Sequence, residues 1–318
     1  MIGSNLITGT ILLSLTGPGI GGNFFLLVKH VHIFVMGPKK KPIDLILIHL
    51  AFANAMTLCI RALSEVISAF HFSNVLGNFG CKATIYLRRV ARGLSICTTC
   101  LLTVVQAGTI SPRITFQRKL KTWTAWQVLS CLLFFWIFNF FISSNLLHYI
   151  TTVNSMNRSE IGPYIVSCYL LPSKQVVRWL FLSLMALRDI IFQSLMGWSS
   201  GYMALHLYNH HKRVLYLQSF RFTKKASPEI RATQSTLILM TCFLFFYWAD
   251  FIFSFYIGST LKNDSVMLSI TLFLELSYAS VSPFILMGRD STWLTAGTFT
   301  EKLRKVFSAL TPLISKGI

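Results

Sequence analysis

The sequence predicts an all-α membrane protein, a seven-transmembrane helix bundle with the N-terminus outside and the C-terminus cytosolic. Three observations predict it. Hydrophobic residues make up 53% of the 318 positions and charged residues only 12%, about half the usual charged share of a soluble protein. A soluble fold this apolar lacks polar groups to cover its surface, and a disordered chain could not leave so much apolar surface in water. Second, seven stretches reach the length of about 20 mostly apolar residues that crosses the hydrocarbon core. Third, the chain carries 29 Lys+Arg against 10 Asp+Glu, a net charge of +19, and most of the bases fall between alternate stretches.

The spans follow in order. The first runs from about Ile7 to Phe34; Gly17-Pro18-Gly19 inside it predicts a kink. No basic region precedes it and it is too long for a cleavable signal, so it reads as a retained span. The second runs from Ile43 to Phe70 and the third from Gly80 to Ile110. The third is the least apolar, because it carries Arg88, Arg89 and Arg92. The fourth is Trp123 to Ile150, the fifth Val176 to Tyr208, the sixth Thr233 to Ile257 and the seventh Val266 to Met287. Linkers are short and there is no internal repeat, so residues 1–318 read as one bundle, with 288–318 a short cytosolic tail. In that tail Trp293, Leu294, Phe299, Leu303, Val306 and Phe307 alternate with Lys302, Arg304 and Lys305, the pattern of an interfacial amphipathic helix.

Orientation follows from the connecting segments. Three lysines (39–41) lie between spans one and two, four bases between three and four, six between five and six, and five in the tail, 18 on one side. The other side has only Arg158, Lys174 and Lys262 in its loops, with Lys82 at a span edge. The positive-inside rule places the 18 in the cytosol, where they can also meet anionic lipid. Nucleic-acid binding is therefore unnecessary as an explanation of the charge.

Cysteines and glycosylation sequons agree with that arrangement. Cys59, Cys97, Cys100, Cys131 and Cys242 fall inside spans, where thiols behave as small hydrophobes. Only Cys81 and Cys168 fall at the outer face, where a pair can oxidise to a disulfide. The sequons at Asn157 and Asn263 both lie in loops assigned to the outside. Cys97-x-x-Cys100 has redox or metal spacing but lies within a span with no second pair, so no metal or other cofactor is expected. Gly197-Trp-Ser199-Ser-Gly201 matches a serine-hydrolase motif, which needs a strand–turn–helix setting. Here it sits in an apolar span, and small residues at a helix interface explain it.

Charges inside the bilayer are the distinctive feature. An ionised side chain at helix centre costs about 2.5–3.5 kcal/mol on the insertion scale, so the arginines of the third span must face the bundle, water or an anion. Arg88 and Arg92 share a helix face as i,i+4 neighbours, about 10 and 16 Å along the helix from Cys81. Two readings stand. In one, Arg88 and Arg92, with Arg178 from the fifth span, bind a carboxylate or sulfate of a ligand, which suits the arginine fork. In the other they pair internally with Glu65, Asp189, Asp250 or Glu275. A combination, in which Glu275 neutralises an arginine until a ligand displaces it, is physically reasonable. Aromatic residues crowd the sixth span; Trp248 is the candidate for a pocket wall.

The stretches His49-Leu-Ala-Phe-Ala-Asn54-Ala-Met56, Arg89-Val-Ala-Arg92 through Leu102, Gln106-Ala through Ile110-Ser-Pro112, Arg231-Ala-Thr-Gln234, Phe245-Phe-Tyr-Trp248-Ala-Asp250 and Ser282-Pro283-Phe form a recognisable set. Together they resemble vomeronasal type-1 receptors, a group within the G-protein-coupled receptors. The stretches span essentially the whole chain in order. The resemblance implies a disulfide between Cys81 and Cys168, a small pheromone-like ligand, coupling to an inhibitory-type heterotrimeric G protein, and a place in the plasma membrane of chemosensory neurons. It implies no enzyme activity. Gln106, Pro112 and Arg231 would then contact the G protein. Unlike rhodopsin-like receptors, the chain has Asn54 where those carry an Asp, Val105-Gln106-Ala107 in place of Asp-Arg-Tyr, and Ser282-Pro283-Phe284 in place of the Asn-Pro start of their last motif. Their ionic lock and sodium site are therefore not expected to work here. A bitter-taste-type receptor and, from another class, a small-solute transporter are the alternatives; non-repeating spans do not suit a transporter.

Overall fold

The computed structural model describes residues 2–37, 40–69, 73–110, 123–144, 150–152, 164–165, 168–170, 175–218, 228–260 and 265–288. Seven long helices carry the fold: α1 (Ile2–Met36), α2 (Pro42–Ala69), α3 (Ser73–Ile110), α4 (Ala125–Ser143), α5 (Gln175–Gln218), α6 (Pro228–Thr260) and α7 (Ser265–Gly288). Each predicted span lies on one of them. Six contain an apolar stretch long enough to cross a membrane, and in α7 the corresponding stretch, Phe273–Met287, is shorter. At 24 residues, α7 still measures about 36 Å, more than the roughly 30 Å of the hydrocarbon core.

Most helices outrun their apolar cores. α3 begins at Ser73 rather than Gly80, and α5 continues to Gln218 rather than Tyr208. The fourth span is the exception, because α4 stops at Ser143 instead of Ile150. At Ser144 both the backbone N–H and the hydroxyl turn back to donate to the carbonyl of Phe141, at 3.2 and 2.8 Å. Serine competes with the helical hydrogen bond in this way. The β-branched Ile150-Thr151-Thr152 that follow form β1, as branched side chains favour. Two more short strands, β2 (Tyr164–Ile165) and β3 (Cys168–Leu170), complete an antiparallel sheet in the order β1-β3-β2 between α4 and α5. At its start α4 is capped: Thr124 and Gln127 form a reciprocal capping box.

α3 is the centre of the bundle. In its apolar stretch 89% of residues are buried, against 28% for the stretches of α1, α4, α5 and α6. α2, α4, α5 and α6 all pack on it, while α1 and α7 close the ring between α2 and α6. The outward faces are rich in exposed Phe, Ile, Leu and Trp, as lipid contact requires. α1 remains helical through Pro18, and its glycines serve packing. A Cβ at Gly19 would stand 2.8 Å from the Cα of Ser280, and one at Gly22 would stand 2.9 Å from the ring of Pro283. Small residues thus bring α1 and α7 to backbone contact.

Neutral hydrogen bonds fasten the core between α1, α2, α3 and α7. Asn23 donates to the carbonyls of Gly19 and Ala279, each at 2.8 Å. Asn54 donates to Ser282 at 2.9 Å and accepts from Ser95 at 2.8 Å. His49 meets Thr98 at 2.9 Å. At the opposite end, His30 of α1 meets Asp44 of α2 at 3.0 Å across the short turn.

Candidate functional site

Where α3, α5 and α7 begin and α6 ends, the four helices separate around a cavity of about 140 Å³. Its wall comes from Ile85, Arg88, Arg89 and Arg92 of α3, Leu182, Met185, Ala186 and Asp189 of α5, Asp250, Phe251, Ser254 and Phe255 of α6, and Thr271 and Glu275 of α7. Every charged side chain of this wall sits within a membrane span. Ions buried there lose water at a cost of several kcal/mol each, repaid only by close opposite charges and further hydrogen bonds.

The structure supplies opposite charges for Arg88, Arg92 and Arg188, and a further hydrogen bond for Arg188. Arg88 meets Glu275 across the α3–α7 gap at 3.1 Å. Arg92 reaches two acids, Asp189 of α5 at 3.2 Å and Asp250 of α6 at 2.7 Å. Asp189 is shared: its other oxygen receives Arg188 at 2.7 and 2.8 Å. Arg188 is fully buried and donates onward to Asn139 of α4 at 3.0 Å. Asn139 in turn donates to the carbonyl of Phe135 at 2.8 Å. The chain of contacts thus runs Asn139–Arg188–Asp189–Arg92–Asp250 through four helices, with Arg88–Glu275 beside it. The guanidinium of Arg92 also lies 5.8 Å from the centre of the Tyr247 ring, within cation–π reach.

Two local features let these groups meet. Arg88 and Arg92 are one helical turn apart and face the same side. Gly93 leaves room behind them: a Cβ there would fall 1.8 Å from Oδ1 of Asn139 and 2.6 Å from the Arg188 guanidinium. No side chain other than hydrogen fits where that pair crosses α3.

Of the residues singled out in the sequence, Arg88, Arg92 and Glu275 come together at the cavity. The internal partners expected among Asp189, Asp250 and Glu275 are the ones found; Glu65 lies beyond the described side chains. Trp248 does not line this cavity: it is 38% exposed and meets Phe251 edge-on, behind the wall. The side chains of Arg178, Cys81, Cys168 and Arg231 lie outside the described residues, as do Asn157, Asn263, Pro112 and the tail. Cys81 belongs to α3, Cys168 to β3 and Arg231 to α6. Gln106 is buried, 7% exposed, near the far end of α3. Ser199 is buried in the middle of α5, a helix rather than the strand–turn–helix that a reactive serine of this motif requires. Cys97 and Cys100 are buried free thiols, and Cys97 receives a contact from Asn139 at 3.7 Å.

Sequence reasoning missed the wall formed by Arg89, Ser254 and Phe255, and the part played by Asn139. The last had a signal, a lone amide within Phe134-Phe-Trp-Ile-Phe-Asn139-Phe-Phe141, since a polar group facing lipid costs several kcal/mol. The neutral character of Asn54 is now explained. Its amide is closed on both sides by Ser95 and Ser282, a hydrogen-bonded junction rather than a carboxylate cation site.

Seven helices, six of them with an apolar stretch long enough to cross a membrane, enclose a charged cavity at one end. Comparison with known proteins gives the family of the chain. Residues 6–296 match the vomeronasal organ pheromone receptor family. The chain is 35% identical over 278 residues to vomeronasal type-1 receptor 100 of Rattus norvegicus, covering 86% of this chain and 83% of that one. It is 34% identical over 290 residues to vomeronasal type-1 receptor 43 of Mus musculus, covering 90% and 87%. It is 36% identical over 277 residues to vomeronasal type-1 receptor A11 of Mus musculus, covering 86% of each. The chain belongs to the vomeronasal type-1 receptor family of G-protein-coupled receptors.

Proposed function

We propose that the chain is a chemosensory receptor of the plasma membrane of sensory neurons, that the cavity between α3, α5, α6 and α7 takes a small pheromone-like ligand, and that the occupied receptor activates an inhibitory-type heterotrimeric G protein. In this reading the N-terminus is outside, so the cavity opens in the outer half of the bundle. The observation that carries it is the Arg88–Glu275 pair on the cavity wall. It joins two helices by one contact, Arg88 is the more exposed partner at 22% of its side chain, and an anionic or strongly accepting ligand group can compete for it. Exchanging that contact changes how α3 and α7 are held together, which is what a ligand must do to shift a two-state bundle.

At the other end Gln106 is buried, so a G protein meets it only after the helices part there. Pro112 and Arg231 flank the same end in sequence, and the bases of the inner loops add electrostatic attraction. A disulfide between Cys81 and Cys168 would tie the β-sheet to α3 beside the cavity mouth, and glycans at Asn157 and Asn263 would mark the outer loops.

The test is G-protein activation in cells expressing the chain at the surface, read as a fall in cyclic AMP and screened over small volatile and acidic organic compounds. Arg88→Ala is expected to abolish or weaken about tenfold the response to active compounds at unchanged surface expression. Unchanged responses to every active compound would remove Arg88 from the site. Uptake of the compounds into vesicles, without G-protein activation, would replace the receptor by a transporter.

A further inference from the structure

Four guanidiniums gather at the cavity and directly behind it, those of Arg88, Arg89, Arg92 and Arg188, against the three carboxylates of Asp189, Asp250 and Glu275. The pairs account for three of the four. Arg88 has Glu275, Arg92 has Asp250 and a share of Asp189, and Arg188 has Asp189. Arg89 lines the same cavity and has no ion pair or hydrogen bond among the described residues. Its ionic surroundings are Arg188, Arg92, Arg88 and Asp189, three like charges and one acid already held by two other arginines. Among the described residues the site therefore carries one uncompensated positive charge in a medium where such a charge is costly.

We propose that Arg89 is the receiving cation of this cavity and that the ligand is a monoanion, a carboxylate or sulfate ester on an apolar body. The proposal rests on the reading of this cavity as the ligand site. One negative charge completes the count. A dianion must displace Glu275 or Asp250 from its arginine, a neutral ligand leaves Arg89 uncompensated, and a cation adds to the excess. Carboxylate and sulfate both present the paired oxygens that a guanidinium fork grips. The remainder of the ligand meets Ile85, Leu182, Met185, Phe251 and Phe255, an apolar wall that accepts a hydrocarbon body.

Arg89 and the paired arginines must then respond to mutation with opposite signs, which needs no ligand to observe. In the purified full-length receptor, Arg89→Gln is expected to unfold at the same temperature as the wild type or higher, whereas Asp250→Asn lowers the midpoint. With probes of one chain length, hexyl sulfate and hexanoate are expected to raise the wild-type midpoint in a saturable way. Hexanol, hexylammonium and adipate are expected to leave it unchanged or raise it less. Arg89→Gln should remove the shift by the monoanions, and Arg89→Lys should keep a reduced one, with the apparent affinity weakened about tenfold or more. The proposal is overturned if Arg89→Gln destabilises as much as Asp250→Asn, if its midpoint still rises with the monoanions, if hexanol matches hexyl sulfate, or if neither monoanion shifts the wild type at millimolar concentration. G-protein activation by neutral and anionic compounds alike, abolished by Arg88→Ala but not by Arg89→Gln, would sink the monoanion site and leave the receptor reading standing. Monoanion binding that needs Arg89 but never activates a G protein would do the reverse.

Discussion

Asp189 is the most heavily committed side chain of the site: one carboxylate, 3% exposed, receives guanidiniums from two helices. Removing its charge leaves Arg188 fully buried with only Asn139 to receive it. Breaking a buried ion pair from one side costs about 3–5 kcal/mol. Asp189→Asn is therefore expected to lower the thermal midpoint of the purified receptor, and more than Asp250→Asn, which leaves Arg92 one acid. Equal and small shifts for the two would show that water already fills the space around them. Gly93→Ala is a second test at this scale. The added methyl must push Asn139 off the Arg188 guanidinium, and overpacking of this kind costs about 1–3 kcal/mol, to be read by the same thermal measurement. The candidate acids were legible in the sequence because few exist within the spans. That Arg88 takes Glu275 while Arg89 takes none was not, since neighbouring residues on α3 differ by a third of a turn and only the packed bundle says which helix each one meets.

Among the helices, the seam between α1 and α7 depends on hydrogen and small side chains. Gly19→Val inserts a branched side chain where even a Cβ would lie 2.7 Å from the Ser280 hydroxyl and 2.8 Å from its Cα. It should weaken surface expression and lower the unfolding midpoint, while Gly17→Val, with open space around it, should be nearly neutral. Asn54→Leu tests the neutral junction: it removes the amide that joins Ser95 of α3 to Ser282 of α7, at about 1 kcal/mol for each buried hydrogen bond lost, and should lower the unfolding midpoint. The spans themselves were readable from hydropathy because length and apolar content follow directly from the bilayer. Their ends were less so. α3 and α5 run past the hydrocarbon, where hydropathy says nothing, and α4 ends early at a serine whose hydroxyl takes over a backbone carbonyl. Within Gly17-Pro18-Gly19, where a kink is expected, the last glycine is also a contact point with α7.

For the molecule as a whole, the buried charges make α3 the hub, and the expected orientation rests on the spread of bases between the loops. The expected topology gives a direct experiment. An epitope at the N-terminus should be stained on intact cells, one at the C-terminus only after permeabilisation, and Asn157→Gln and Asn263→Gln together should abolish an endoglycosidase-sensitive shift in mobility. Staining in the reverse sense would place the cavity on the cytosolic side and exclude it as a sensory site. The family was legible because motifs recur along the chain in order. The receptor's charge balance was not, because it is a property of side chains gathered from four helices.

That gathering has a consequence in time. Arg88 and Arg92 of α3 leave the ribosome before any of their acidic partners: Asp189, Asp250 and Glu275 lie roughly 100, 160 and 185 residues behind, several seconds to about half a minute at about 5–20 residues per second. Through that interval the guanidiniums of α3 lack these carboxylates, and α3 is expected to settle into the bundle only after α5, α6 and α7 are made. Chains truncated after α4 should accordingly be retained and degraded rather than exported. The last-made helices thus carry the charges that balance the third in the membrane interior.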